Sequence, residues 1–220
     1  MKKILFIAPH ADDETLGCGG IIHKFKSENC KIYWLLATKK KIKKKTELIK
    51  REKLITKVKQ KYKFNNLFQL SYFASDLSFK NLSTLTDDIR NIINLKKIDT
   101  IFTCYSEDTH SDHFFVSKAS LSSSKIFRTP SIEKIFIYET LSESNLNFSK
   151  KAKQFKADSY FDISRFINKK ISTIKLYESE FKKHPFPRSI EAIKALSLLR
   201  GSESGFKNAE AFQQIYSRIK

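Results

Sequence analysis

The sequence contains few cysteines, glycines and prolines. Three cysteines, five glycines and four prolines are spread over 220 residues, and the cysteines lack the CxxC spacing of a zinc–sulfur site. An odd, sparse set of cysteines is typical of reduced thiols and argues against a disulfide-stapled secreted domain. The chain also has no apolar run near the ~20 residues that a membrane-spanning helix needs. We therefore expect a cytoplasmic protein without a transmembrane segment.

Acidic residues are outnumbered by basic ones. Lys and Arg total 42 against 23 Asp and Glu, which gives a net charge of +19, and seven of the basic residues are arginine. The sequence lacks the interleaved basic and aromatic residues that are typical of nucleic-acid-binding segments. We interpret the run of lysines at residues 39–45 as an exposed loop. We therefore expect no nucleic-acid partner, with a basic nucleic-acid-binding protein as the alternative that the charge alone suggests.

Strand and helix patterns alternate along the chain. Continuous apolar runs within residues 4–8 and 32–37 are typical of strands buried on both faces of a parallel sheet, and residues 98–104 are another predicted strand. A weaker strand pattern covers residues 67–72, and another strand is predicted at 132–138. Helical patterns lie at about 17–27, 46–62, 82–95 and 111–122. Repeated units of this kind predict an α/β fold with an open, mostly parallel, Rossmann-like sheet flanked by helices.

The chain is expected to form a single domain over residues 1–220, because no repeat and no linker rich in Gly, Ser or Pro divides it. Residues 1–160 would form the Rossmann-like core, and residues 161–220 a C-terminal helical appendage. Ser164 is of the residue type that favours the N-cap of a helix, and it predicts a helix that reaches about residue 181. A further helix is expected over residues 189–199. The glycines at 17, 19 and 20 would let the first helix pack closely against the first strand.

Two clusters of histidines and carboxylates follow two of the predicted strands. The first occupies residues 9–14 (PHADDE), and the second occupies residues 108–113 (DTHSDH). Parallel strands end at the same edge of a sheet, where open α/β folds place their ligand sites, so we expect the clusters to converge. Carboxylates gathered in one place repel one another unless a cation lies among them. The sequence therefore predicts a site for a divalent metal ion.

A catalytic zinc ion takes three His or carboxylate ligands and leaves one position open for water. We predict that His10, Asp13 and His113 are these ligands, with Fe²⁺ as a second candidate for the metal. The pKa of the bound water would fall from ~15.7 toward ~7. Asp12 then remains to accept the proton of the water, and His110 to stabilise the oxyanion or to protonate the leaving group.

Five further residues are candidates for supporting roles or substrate contacts: Glu14, Arg51, Asp76, Asp108 and Asp112. Glu14 would accept hydrogen bonds from backbone amides at the start of the first helix, where its charge is favourable. Asp108 or Asp112 would hold His110 in the correct tautomer and raise its pKa. For Arg51, a substrate contact and a solvated helix face are both open, and Asp76 is either a sugar contact or a polar loop residue.

Residues 9–20 (PHADDETLGCGG) resemble the PHPDDE-type signature of the PIG-L (LmbE-like) zinc N-deacetylases, with Ala11 where the family usually has proline. Residues 108–113 resemble the second motif of that family, and residues 162–170 and 200–212 resemble its later segments. The resemblance implies a Rossmann-like fold, a zinc cofactor and hydrolysis of an N-acetyl group from a GlcNAc-type sugar or glycoconjugate. It implies the same metal ligands, with Asp12 as general base and His110 as the oxyanion-stabilising or acid histidine.

Other chemistry is compatible with these clusters. A zinc amidase that acts on a larger N-acyl substrate would use the same site. His10 and Asp12 with a distant histidine also match the facial triad of non-haem iron oxygenases, but those triads typically lie on antiparallel barrels. The expected partner is a small-molecule amino sugar, free or linked to a lipid or nucleotide, and the sequence leaves the oligomeric state open.

Overall fold

The computed structural model describes residues 1–148 and 153–219, which contain seven strands and six helices. The strands are β1 (Lys3–Ala8), β2 (Lys31–Lys39), β3 (Asn66–Phe73), β4 (Thr100–Cys104), β5 (Lys134–Tyr138), β6 (Ser159–Asp162) and β7 (Ala209–Ser217). The helices are α1 (Asp13–Ser27), α2 (Lys45–Tyr62), α3 (Leu82–Lys96), α4 (Ser111–Ser123), α5 (Ile167–Ile174) and α6 (Ile190–Ser204). Among these described helices, none combines the length and apolar character needed to cross a membrane.

All the described strands belong to one sheet, in the order β3-β2-β1-β4-β5-β7-β6. Strands β1 to β5 pair in parallel, whereas β7 pairs antiparallel with both β5 and β6. The chain moves outward from β1 through β2 to β3, and it then returns to the other side of β1 to form β4. Open α/β sheets bind ligands at such a reversal. The predicted open, mostly parallel α/β sheet is confirmed.

Apolar side chains place β1, β2 and β4 in the middle of the sheet. Every residue of β4 is buried, and only terminal residues of β1 and β2 are partly exposed. Strands covered by helices on both faces require this composition. Phe6, Phe102 and Phe136 stack across β1, β4 and β5, with ring centroids 5.1 and 4.9 Å apart. Burial of each such ring contributes about 1.5–3 kcal/mol.

Helix α1 begins earlier than its glycines suggest. The predicted start near Gly17 is wrong, because Asp13 and Glu14 already form the first turn, where the helix dipole favours acidic side chains. A Cβ atom on Gly17 would lie 2.3 Å from the ring of Tyr138, and one on Gly20 would lie 2.6 Å from the side chain of residue 163. The glycines therefore permit close packing, but the nearest neighbours of Gly17 and Gly20 belong to β5 and to residue 163, and those of Gly19 belong to α5 and α2, not to β1.

The C-terminal residues differ from the predicted helical appendage, because they supply β7, which lies between β5 and β6. The sequence pattern does not indicate this strand, since apolar and polar residues fail to alternate with burial along it. Glu210 is buried there, whereas the apolar side chain of Ile215 is 50% exposed. Because the charged residue Glu210 is buried, hydrophobic periodicity does not identify this segment as a strand.

Of the two helices predicted in this region, the second begins where expected. Ser189 precedes α6 as its N-cap and accepts a hydrogen bond from the N–H group of Ala192. The predicted cap at Ser164 is wrong, because α5 begins only at Ile167. The Ser164 hydroxyl donates instead to the carboxylate of Asp162 at 2.5 Å. Helix α5 also ends at residue 174, not at 181.

A buried ion pair ties β7 to α1 and α5. The ammonium group of Lys170 lies 2.7 Å from a carboxylate oxygen of Glu210, and both residues are buried. Glu210 also accepts hydrogen bonds from the backbone N–H groups of Gly20 and Ile21, and Lys170 donates to the carbonyl of Leu16. Buried charges need such additional bonds, because the pair alone seldom compensates for lost hydration. The pair therefore fixes α1 against β7.

The lysine run at residues 39–45 connects β2 to α2, and most of it is exposed. This confirms the expected exposed loop. Two of its side chains nevertheless have acidic partners: Lys40 pairs with Glu180, and Lys41 pairs with Asp76. Part of the positive charge of the loop is therefore balanced within the protein.

The imidazole of His23 predicts a pH dependence of stability. Its ring packs on Tyr62 with centroids 4.7 Å apart, and burial together with Lys169 and Lys61 lowers the pKa of His23 to about 4. In the unfolded chain a histidine takes up a proton near pH 6.5. Between these two values the unfolded state binds more protons, so the free energy of unfolding falls as the pH is lowered from 6.5 to 4.

We expect His23→Gln to reduce this loss in the free energy of unfolding by about 1 kcal/mol. This is less than the free energy that corresponds to the full pKa shift, because the ring is partly solvated. Urea denaturation of both proteins at pH 7 and pH 4.5 measures the effect. Other titrating groups contribute equally to both, so the difference between the two proteins isolates His23. An identical pH dependence would contradict the prediction.

Candidate active site

The two predicted clusters meet at the edge of the sheet where β1 and β4 end. His10 lies in the connection from β1 to α1, and Asp13 is the first residue of α1. His113 lies in the first turn of α4, which follows β4. Because β1 and β4 are parallel neighbours, side chains distant in sequence come into contact here. His10 and Asp112, for example, are 102 positions apart and share a hydrogen bond.

Asp13 lies between two histidines. Its Oδ2 atom is 3.4 Å from Nδ1 of His10 and 3.3 Å from Nε2 of His113. Ligands held at ~2.0–2.1 Å around a tetrahedral zinc ion are separated by about 3.3–3.4 Å. Asp13 and His113 are almost fully buried, and the side chain of His10 is 20% exposed. The structure thus brings the three predicted ligands together at a spacing that suits a metal ion.

A carboxylate holds the other ring nitrogen of each of these histidines. Nδ1 of His113 lies 2.7 Å from Oδ2 of Asp108, and Nε2 of His10 lies 2.9 Å from Oδ2 of Asp112. With a proton on the nitrogen that faces the carboxylate, the opposite nitrogen keeps its lone pair toward the centre of the cluster. Metal-binding histidines usually have such a partner, which sets the tautomer and the ring orientation.

The pKa values within the cluster show how strongly its charges interact. Burial opposes protonation of His10, but bonds to Asp112 and Asp13 raise its pKa to about 9. Burial opposes protonation of His113 as well, yet Asp13 and Asp108 raise its pKa to about 10. The pKa of Asp13 lies well below its usual range in spite of burial, because of His113 and His10. The cluster therefore favours positive charge beside Asp13, from protons or from a metal ion that displaces them.

Asp12 has a backbone conformation that residues other than glycine avoid, with φ 153° and ψ −28°. Strain of this kind is concentrated at functional sites. Burial and the neighbouring Asp13 raise the pKa of Asp12 to about 8, although Arg188 opposes the rise. A buried carboxylate whose pKa lies near neutrality, next to a set of metal ligands, is suited to accept a proton.

His110 is the N-cap residue of α4. Its Nδ1 atom accepts a hydrogen bond from the N–H group of Asp112 at 3.1 Å, so the neutral ring carries its proton on Nε2. The ring centroid lies 4.4 Å from that of His10, and the side chain is 32% exposed. The predicted rise in the pKa of His110 is wrong. Burial and His10 lower this pKa and outweigh the attraction of Asp112.

Comparison with known families identifies one match. The profile of the family described as "PIG-L: GlcNAc-PI de-N-acetylase" matches residues 5–123, which is more than half of the chain and includes both clusters. The chain belongs to the PIG-L family. A comparison with curated protein sequences finds no match.

Solved structures share the fold of this PIG-L protein over nearly its whole length. The conserved protein TT1542 from Thermus thermophilus has a TM-score of 0.76 at 22% identity. The match covers 100% of this chain and 97% of TT1542. The N,N'-diacetylchitobiose deacetylase from Pyrococcus horikoshii has a TM-score of 0.76 at 18% identity, over 84% of its chain and 98% of this one. GalB, the 4-carboxy-2-hydroxymuconate hydratase from Pseudomonas putida, has a TM-score of 0.74 at 12% identity, over 98% of its chain and 100% of this one. At these identities the similarity shows the fold and not the reaction.

Arg188 is a residue of the PIG-L site that the sequence pattern does not indicate. It lies between α5 and α6, beyond the residues matched by the family profile. Its guanidinium donates to the carboxylates of Asp12 at 2.8 Å and Glu143 at 2.9 Å, and to the hydroxyl of Ser142 at 2.6 Å. One arginine in an irregular segment forms no motif, and the signal that points to it is the scarcity of arginine in a lysine-rich chain.

Glu14 stabilises the first cluster through a hydrogen bond from the backbone of Asp12. It is fully buried and accepts hydrogen bonds from the hydroxyls of Thr15 and Tyr177 and from the N–H group of Asp12. Burial raises the pKa of Glu14 to about 7. The expected contact with backbone amides is present at Asp12, and Glu14 therefore helps to fix the strained residue.

Of the two remaining candidates, Arg51 contacts the PIG-L site and Asp76 does not. A guanidinium nitrogen of Arg51 donates to the carbonyl oxygen of Ala11 at 3.2 Å, so this residue braces the first loop from α2. Its side chain is only 14% exposed, which argues against a solvated helix face. Asp76 is 46% exposed and pairs with Lys41, as expected for a polar loop residue.

Proposed function

We propose that the protein is a metal-dependent hydrolase that removes the N-acetyl group from a GlcNAc-type sugar or glycoconjugate. The observation that carries the proposal is the set of His10, Asp13 and His113, in which a carboxylate orients each histidine. Two further groups, Asp12 and His110, lie beside this set. The description of the family as a de-N-acetylase and the chitobiose deacetylase of the same fold support the substrate class.

The donor atoms support zinc, with Fe²⁺ as the alternative. Two imidazole nitrogens and one carboxylate are a common ligand set of catalytic zinc. The fit rests on the spacing of 3.3 and 3.4 Å around Asp13 and on the carboxylates of Asp112 and Asp108, which orient His10 and His113. When bound, the ion would act as a Lewis acid and lower the pKa of water.

Asp12 is the proposed general base. The attacking water gives its proton to this carboxylate as the oxygen adds to the amide carbon. The amide C–N bond then breaks, and the proton passes to the departing amine, so the products are acetate and the free amino sugar. Arg188 holds Oδ2 of Asp12 at 2.8 Å during these transfers. The fixed carboxylate loses little orientational freedom in the reaction.

His110 is the proposed donor to the oxyanion. Because its Nδ1 atom accepts from the N–H group of Asp112, the neutral ring offers Nε2–H for a hydrogen bond. The lowered pKa of His110 favours this neutral form. A preorganised donor aimed at developing charge is among the largest contributions to catalysis. A role as a hydrogen-bond donor is therefore better supported than the role of a protonated acid.

The proposal is tested by measuring acetate release from free, nucleotide-linked and lipid-linked N-acetylglucosamine. We expect release from at least one form, loss of release after the metal is removed with a chelator, and recovery when Zn²⁺ or Fe²⁺ is added back. No release from any form by metal-loaded protein would contradict the proposal. Faster release of a longer acyl group from matched N-acyl substrates would favour the zinc amidase instead.

His110→Ala is expected to keep the metal and to lower kcat by about 10²–10³-fold, or about 2.7–4 kcal/mol, with a smaller effect on KM. The physical reason is the loss of the Nε2–H donor. Steady-state kinetics with the metal content confirmed measure the effect. His110→Asn is the control for folding, because asparagine retains an N-cap side chain for α4. Near-normal turnover in His110→Ala would remove His110 from the mechanism.

Arg188→Gln is expected to lower kcat by about 10–100-fold at unchanged metal content, because Asp12 loses the charged group that holds it. Arg188→Lys should recover part of the loss, since lysine restores the charge but not three simultaneous bonds. Kinetics and metal analysis of both variants test the role. Equal kcat values in all three proteins would show that Arg188 only supports the fold.

We also propose that the protein acts in the cytoplasm on a small-molecule amino sugar and does not bind nucleic acid. All three cysteines are free and buried, as expected for a reducing compartment. The pairing of Lys40 and Lys41 with acidic side chains supports surface composition as the origin of the positive charge.

A further inference from the structure

Two tyrosines from distant parts of the chain contact the first turn of α1. The hydroxyl of Tyr177, which lies between α5 and α6, donates to Oε1 of Glu14 at 2.7 Å. The hydroxyl of Tyr62, the last residue of α2, donates to Oγ1 of Thr15 at 3.0 Å. Thr15 donates in turn to the same oxygen of Glu14 at 2.5 Å. None of these four residues is more than 1% exposed, so solvent cannot replace a bond that is lost.

These bonds fix the carboxylate of Glu14, and the carboxylate holds the backbone of Asp12. While Oε1 accepts from the two hydroxyls, Oε2 accepts from the N–H group of Asp12 at 3.2 Å. Asp12 has a φ of 153°, a conformation that persists only where the surrounding structure enforces it. Tyr177 therefore acts on the backbone of Asp12 through Glu14.

The segment that carries Tyr177 holds the loop around Asp12 at two further points. Arg188 donates to Oδ2 of Asp12 at 2.8 Å. Glu180 lies 4.0 Å from a guanidinium nitrogen of Arg51, and Arg51 donates to the carbonyl oxygen of the residue before Asp12. The connection between α5 and α6 thus contacts the partners of the Asp12 backbone and also its carboxylate.

We propose that Tyr177 is a positioning residue for the general base, because through Glu14 it fixes the backbone of Asp12 while Arg188 fixes the carboxylate. This inference rests on the proposed function, which needs Asp12 to take a proton from water. The bond from Tyr177 sets the direction from which the Asp12 carboxylate reaches that water. A displaced base lowers the rate of the chemical step and leaves the contacts that bind the substrate in place.

Tyr177→Phe removes only the hydroxyl, and we expect it to lower kcat about 10-fold with KM and metal content unchanged. Tyr72→Phe is the matched control. The hydroxyl of Tyr72 also bonds to a carboxylate, that of Asp88, at 2.8 Å, but this pair links β3 to α3 and has no contact with Glu14. The control should lose a comparable hydrogen bond and keep the kcat of the wild type.

The same substitution in an Asp12→Asn background separates positioning from a general structural role. Once the base is absent its position no longer matters, so Asp12→Asn and the double variant should have equal kcat values. A structural role would add the same loss in both backgrounds, because independent effects are additive. Glu14→Gln alters the residue between Tyr177 and Asp12 and should show the same pattern, which keeps the test available if Tyr177→Phe does not fold.

Four outcomes would overturn the inference. Wild-type kcat in Tyr177→Phe, or an equal loss from this substitution with and without Asp12, would overturn it and leave the proposed function standing. Loss of metal from folded Tyr177→Phe would place the effect at the metal ligands instead of the base. Absence of acetate release by the metal-loaded wild type would contradict the proposed function, and the positioning role with it.

Discussion

Replacing His113 with alanine is expected to remove the bound metal and to lower deacetylase turnover to the background of the assay. His113 is buried, its Nε2 atom lies 3.3 Å from Asp13, and its Nδ1 atom is held by Asp108 at 2.7 Å. The substitution leaves two ligands where a catalytic zinc site needs three. Metal content by mass spectrometry should fall from about one tightly bound equivalent per chain to near zero.

Two further variants make this result specific. His184→Ala alters an exposed histidine outside the cluster and should leave metal content and turnover unchanged. Asp108→Asn keeps all three ligands but weakens the support of His113, and we expect metal affinity to fall by about 10–100-fold. Full metal occupancy in His113→Ala would show that the ligand set is assigned incorrectly.

Asp12→Asn is expected to retain the metal and to lose about 10²–10⁴-fold in kcat. Asparagine has nearly the shape of aspartate, but its amide cannot take a proton from water. Asp12 is buried and lies next to a ligand without being part of the ligand set. Kinetics with the metal content confirmed measure the effect, and Asp76→Asn, at an exposed carboxylate, is the control. Loss of metal from a folded Asp12→Asn variant would instead identify Asp12 as a ligand.

Much of the sheet is predictable from the sequence, because β1, β2 and β4 are buried on both faces. A strand of this kind is largely apolar, and the polar residues buried within these three strands are threonines, which interrupt the apolar signal little. The convergence of the two clusters follows from the same pattern, since parallel neighbours end at one edge. His10, Asp13 and His113 therefore come together as the order of elements predicts.

The partners of those residues are not predictable in the same way. Asp112 directly precedes His113 in sequence, yet it bonds to His10 on the other loop, while Asp108 bonds to His113. These choices depend on side-chain directions that spacing alone does not give. The roles of Arg188 and β7 cannot be predicted from sequence patterns for a related reason. Arg188 and Glu210 of β7 are charged side chains inside the protein, and their partners, Asp12 and Lys170, lie far away in sequence.

The position of β7 has a consequence for how the chain folds while it is being synthesised. β7 lies between β5 and β6, although it follows both in the chain. During synthesis, the backbone groups of β5 and β6 that pair with β7 therefore lack their hydrogen-bond partners until residues 209–217 have emerged from the ribosome. Glu210 arrives with this strand, so the hydrogen bonds that Gly20 and Ile21 of α1 donate to it form equally late. Because α1 also carries Asp13, the helix that bears this site residue receives its bonds to the sheet's β7 strand only after nearly the whole chain has been made.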